Sequence, residues 1–70
     1  MKRIPLDSSN LRAVAYLHEE HILEVEFHNS GVYQFYKVPT RIFFELLNAP
    51  SHGRYFNDSV KDHYRFRKIC

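Results

Sequence analysis

Hydrophobic and polar positions along this chain first alternate and then change period. From Leu11 to Leu17, the residues Leu11, Ala13, Ala15 and Leu17 alternate with Arg12, Val14 and Tyr16, a strand pattern whose two faces are ambiguous. A polar connection, "HEEH", occupies 18–21. Residues 22–28 then alternate cleanly, with Leu23, Val25 and Phe27 on one side and Glu24, Glu26 and His28 on the other, as in a half-buried antiparallel strand. "NSG" at 29–31 is a turn signal, and residues 32–38, rich in β-branched and aromatic side chains, make the partner strand that Pro39 ends. From Thr40 to Asn48 the period becomes helical: Ile42, Phe43, Leu46 and Leu47 share one face, with Arg41, Glu45 and Asn48 opposite. Pro50 stops this helix, and Ser51 is placed to N-cap a second segment in which Tyr55, Phe56, Ser59 and Val60 share a face. The tail "YRFRKI" alternates again, as a final strand or an extended arm. "RIPL" near the start suits a sheet edge, where a proline is tolerated.

This order predicts an α+β fold: a three- to four-stranded antiparallel meander followed by two short helices packed on one face, with residues 1–70 as a single domain. A sheet this small needs the helical cover to be stable.

The turn decides where the rings of "GVYQFYKVP" (31–39) point, because directly opposed residues of a hairpin share a face. A two-residue loop, Ser30-Gly31, sets Phe27 opposite Gln34 and Val25 opposite Tyr36, leaving Tyr33 and Phe35 exposed. A three-residue loop, Asn29-Ser30-Gly31, with Gly31 in the left-handed position of a bulge, sets Phe27 opposite Tyr33 and Val25 opposite Phe35, burying both rings. "NSG" favours the second, since glycine stands where positive φ is needed. Against it stands Lys37 opposite Leu23, which a bulge at Phe35-Tyr36 would relieve.

Composition narrows the setting. Seventy residues allow one small core, and the 6 Phe and 5 Tyr must supply by ring area what length does not. The single cysteine, Cys70, offers no disulfide and fits a reducing, cytoplasmic location. No signal peptide or membrane span is expected, so no membrane partner is expected either. Charge is uneven: residues 1–50 carry five bases and six acids, residues 51–70 five bases and two acids. The positive field therefore sits in the tail.

The blocks "IPLDSSNL", "LEVEFHNSGVYQFYKVP", "LLNAPSHGRYFN" and "YRFRKI", in that order, resemble the KTSC domain. That family is a short module named for its occurrence at the C-terminus of some lysyl-tRNA synthetases, found also as stand-alone bacterial or phage proteins. The resemblance covers nearly the whole chain. It implies a domain of unknown function for which RNA binding is suggested, and it brings no catalytic residues. The family's Tyr-x-Tyr mark reads Tyr33-Gln34-Phe35 here, so the second hydroxyl is absent.

Candidate chemistry is sparse. "HEEH" spaces its histidines i to i+3 rather than the i to i+4 of a helical zinc site, so no metal or other cofactor is expected. Ser8 and Ser9 lack a glycine-flanked elbow and a neighbouring base, and such side chains commonly bond their own backbone in turns, so no catalysis is expected. The functional expectation rests on the C-terminal third, which interleaves cations with rings as single-strand binders do. Tyr33, Lys37, Arg54, Arg65, Arg67 and Lys68 are the candidate nucleic-acid contacts, for single-stranded or tRNA-like RNA. The alternative is a protein-interaction adaptor, phage- or mobile-element-encoded, that meets a host protein or a second copy of itself.

Overall fold

In the computed structural model, which describes residues 3–70, the alternating segments become strands and the 3.6-period segments helices. The order is β1 (Ile4–Pro5), β2 (Leu11–Leu17), β3 (Ile22–Phe27), β4 (Gly31–Phe35), α1 (Thr40–Asn48), α2 (His52–Ser59) and β5 (Phe66–Lys68). The strands form one five-stranded sheet in sequence order, antiparallel throughout. Both chain ends supply edges: "RIPL" contributes β1 and "YRFRKI" contributes β5, which takes the strand count beyond the three or four expected.

Register fixes the faces. Val14 opposes Val25, which opposes Tyr33, and Tyr16 opposes Leu23, which opposes Phe35, so these six point the same way. They meet the helices: Phe43 of α1 stacks on Tyr16 with ring centroids 5.2 Å apart, and Phe56 of α2 meets Phe35 edge-on at 5.3 Å. Ile42, Phe43 and Leu46 of α1 and Phe56 of α2 are buried in this layer with Val38 and Val60. The ambiguous faces of β2 have a local cause. A register shift between Leu11 and Ala13 inserts Arg12 as a bulge, so that Leu11 and Val14, three apart in sequence, both enter the core.

The hairpin corrects both expected registers. Its loop has three residues, as the glycine argument requires, but they are 28–30; Gly31 begins β4 opposite Phe27, with φ of 93°. Val25 thus faces Tyr33 rather than Phe35, and Leu23 faces Phe35 rather than Lys37. The rings still share the helix-side face, because a shift of two residues preserves the pleat. Nor does β4 continue to Val38. Lys37 takes φ of 56°, turning the chain so that Val38, whose amide donates to His21 carbonyl at 2.9 Å, drops into the core. No bulge at Phe35-Tyr36 is then needed to keep Lys37 out of the core.

The opposite sheet face is small and polar. Ala13 and Ala15 are buried there beside Glu24, which is 3% exposed. A buried carboxylate persists only when paired and hydrogen-bonded. Arg3 Nε and Nη2 each lie 2.7 Å from Glu24 Oε2, while Gln34 donates to Oε1 at 3.1 Å. The hydrogen bond to Glu24 holds the Arg3 guanidinium above its ordinary pKa.

Candidate nucleic-acid interface

The C-terminal segment leaves α2 through a tight turn. Amides of Val60 and Lys61 both donate to the Phe56 carbonyl at 2.9 Å, Asp62 adopts φ of 68°, and His63 N–H closes on Val60 at 3.1 Å. This reversal sends the chain back along β4, where Phe66 opposes Phe35, Arg67 opposes Gln34 and Lys68 opposes Tyr33. All three residues of β5 are exposed, and Phe66 is exposed to 57%. A large ring so placed on an edge strand has apolar area left over from folding.

Five rings surround one opening at this edge. Phe27 meets Tyr33 at 5.4 Å, Tyr33 meets Phe66 at 5.8 Å, and Phe66 meets Phe35 at 5.5 Å; Phe35 and Phe27 each meet Phe56 at 5.3 Å, which closes the circuit. All five line a cavity of about 360 Å³, together with Asn10, Ser30, Asn57, Lys61 and Asp62. A second groove, of about 570 Å³, lies at the entry to β5 between Tyr36, Lys37, His63, Tyr64 and Arg65. The segment 61–66 borders both.

The six residues named from sequence do not make one surface. Tyr33 and Lys68 are cross-strand partners on the helix side, Lys37 and Arg65 share the second groove, and Arg67 opposes Gln34 and so belongs to the other sheet face. Arg54 stands apart: it reaches Asp58 at 3.7 Å and lines a polar groove of about 510 Å³ between the 7–10 loop and the start of α2. Sequence reasoning missed Phe66 as a contact, Lys61, and the walls Phe27, Phe35 and Phe56. Phe66 was visible as a tail ring, but nothing in its spacing showed that β5 is an edge.

Charge separates this edge from the rest. Arg3, Arg12, Arg41 and Arg54 each lie within 4.0 Å of a carboxylate. Among the described residues, Lys37, Lys61, Arg65, Arg67 and Lys68 make no such pair, and all five border β5 or its two grooves. Other residues that suggested chemistry have local duties. Ser8 Oγ accepts from the amides of Asn10 at 3.2 Å and Leu11 at 3.3 Å, closing a turn. His18 and His21 of "HEEH" flank Tyr16: His18 edge-on at 4.9 Å, His21 with Nδ1 3.0 Å from its hydroxyl.

Sheet order, register and helical cover define the class: a small α+β domain in which an antiparallel meander carries two helices on one face. The chain belongs to the KTSC domain family, whose model matches residues 7–64. The crystal structure of a KTSC domain protein from Yersinia pestis is 33% identical and superposes with a TM-score of 0.97, covering 99% of this chain and 97% of that one. An uncharacterised protein of Stutzerimonas stutzeri is 46% identical over 70 residues, 99% of each. A lysine–tRNA ligase of Nostoc punctiforme is 32% identical over 63 residues, which are 90% of this chain but 11% of the ligase. Neither the family description nor that of the solved relative names a reaction.

Proposed function

We propose that this domain binds single-stranded or tRNA-like RNA, without catalysing a reaction, along the edge formed by β5 and its two grooves. The observation that carries the reading is that five unpaired cations lie along β5 and its two grooves, on both sheet faces, with the solvent-exposed ring of Phe66 among them. Cations there meet phosphates, and rings stack on bases. The likeness to a stretch of lysine–tRNA ligase supports the same reading, since that enzyme acts on tRNA. Lys37, Lys61, Arg65, Arg67, Lys68, Tyr33 and Phe66 are the contacts; Arg54, paired and remote, drops out. A cytoplasmic location agrees with the lone thiol of Cys70.

Salt titration of a fluorescent single-stranded oligonucleotide tests this. Five phosphate contacts on a single strand give a log–log slope of about −3.5, so affinity falls roughly 100-fold between 50 and 200 mM salt. Replacing Arg65, Arg67 and Lys68 together by alanine flattens the slope by about 2. Negligible binding at low salt, or a slope near zero, overturns the reading. The adaptor reading draws on the outer edge of β5, where exposed Phe66 and Ile69 suit strand addition by another protein. Partners captured from lysate that survive nuclease treatment favour it.

A further inference from the structure

The five-ring circuit does more than close the core. Phe35 and Phe56 are buried and Phe27 and Tyr33 half-buried, while Phe66 stays open to solvent, so the cavity has an aromatic wall that a further flat ring can reach. Its volume of about 360 Å³ stands near the lower end of small-molecule sites, roughly 300–1,000 Å³, which suits one planar group and not a stack of them. Apart from the five rings, the lining residues are polar and exposed: Asn10, Ser30, Asn57, Lys61 and Asp62. Among the described residues, the side-chain amides of Asn10 and Asn57 make no hydrogen bond to protein. A purely apolar occupant would desolvate these groups without replacing their bonds.

We propose that this cavity holds one unstacked nucleobase bearing an exocyclic amine, adenine foremost; the inference rests on the RNA reading above. The base lies against the Phe66 and Tyr33 rings. An asparagine amide offers a donor and an acceptor side by side, the complement of adenine N7 and its N6 amine. Asp62 accepts from the same class of amine, which uracil lacks. Lys61 in the lining and Lys68 opposite Tyr33 supply the positive charge that the attached phosphate requires.

The test uses pentanucleotides whose central position is flanked by abasic sites, so that no neighbouring base quenches it, and carries adenine, uracil, an abasic site or 2-aminopurine, a fluorescent adenine isomer whose amine sits at C2 and which therefore reports stacking on the rings alone. The adenine pentamer is expected to bind more tightly than the uracil or abasic ones, and 2-aminopurine emission to be quenched. Phe66→Ala, at an exposed site that leaves the core intact, should abolish the quenching and weaken the adenine pentamer by roughly 5- to 150-fold, the range for one lost base stack. Asn57→Ala should erase the preference for adenine over uracil while leaving the abasic pentamer unaffected. Equal, salt-dependent binding of all four pentamers with no quenching overturns the base pocket and leaves the RNA reading standing. If no pentamer binds, the RNA reading falls, and titration with adenosine monophosphate decides the pocket alone: shifts in the Phe66 and Tyr33 ring resonances support it, and their absence overturns it.

Discussion

Gly31 ties the central hairpin to the edge that carries the proposed interface, so substituting it tests how the fold holds β5 in place. It takes φ of 93° where the 28–30 turn enters β4. A Cβ there would overlap the Cys70 carbonyl oxygen and lie 3.2 Å from Lys68 Cε. Residues 69–70 are held by Val32 N–H donating to Cys70 at 3.3 Å and by Ile69 N–H donating to Val32 at 2.8 Å. Gly31→Ala therefore adds backbone strain of about 1–2 kcal/mol and breaks two hydrogen bonds worth about 1 kcal/mol each. The total, about 3–4 kcal/mol, approaches the ~3–5 kcal/mol that a core of this size supplies. At about 4–8 °C per kcal/mol the thermal midpoint falls by roughly 12–32 °C. Circular dichroism melts of four chains separate the causes: the parent, Gly31→Ala, a chain lacking residues 69–70, and the combination. In the shortened chain the overlap with Cys70 is gone, so the substitution costs only its strain, about 1–2 kcal/mol. A drop below about 4 °C in the full chain, or equal costs in both backgrounds, refutes the argument.

Two further outcomes follow from the packing. Tyr16 donates its hydroxyl to the buried Val38 carbonyl, with Thr40 Oγ1 donating to the same hydroxyl at 3.4 Å; Tyr16→Phe should cost about 1–3 kcal/mol in urea unfolding with an unchanged m-value, and a loss under ~0.5 kcal/mol would show that this hydroxyl does not latch β2 to the start of α1. Tyr55 donates to Glu45 at 2.6 Å, and partial burial together with that bond raises its phenol above the ordinary 10.0, so its contribution to stability is present below pH 10.0 and is lost as pH rises through the folded value; the Tyr55→Phe chain should lack that loss, and identical alkaline stability profiles would contradict it.

Much of the architecture was legible because local rules and tertiary needs agree. The bounds of β2 and α1 follow directly from period and proline. Ser51 caps α2 as its side chain suggests, accepting from Arg54 N–H at 3.3 Å. The register of β3 on β4 was half legible: glycine chemistry required a three-residue loop, but which three depends on the residue-by-residue fit of the rings against Phe56. Strand β4 ends early because Val38 is worth more buried under the helices than paired in the sheet. The site was the least legible part. Arg41 and Arg54 meet Glu45 and Asp58 four residues on in their own helices, a spacing the sequence displays, but Arg3 and Arg12 find carboxylates on β3, and only the strand order shows which cations are left without such a partner.

By itself the sequence determined the fold class, the helical cover on one face and the basic tail, because each depends on neighbours a few residues apart: periodicity, turn chemistry and local charge. It determined family membership as well, through separated blocks in fixed order. Only the tertiary structure decided that β5 is an edge, that five rings from β3, β4, α2 and β5 close a circuit around one cavity, and that the unpaired cations are distributed along that edge and its two grooves. Those facts belong to ring contacts between residues 21 to 33 apart in the chain, and such contacts exist only once register and helix packing bring the segments together.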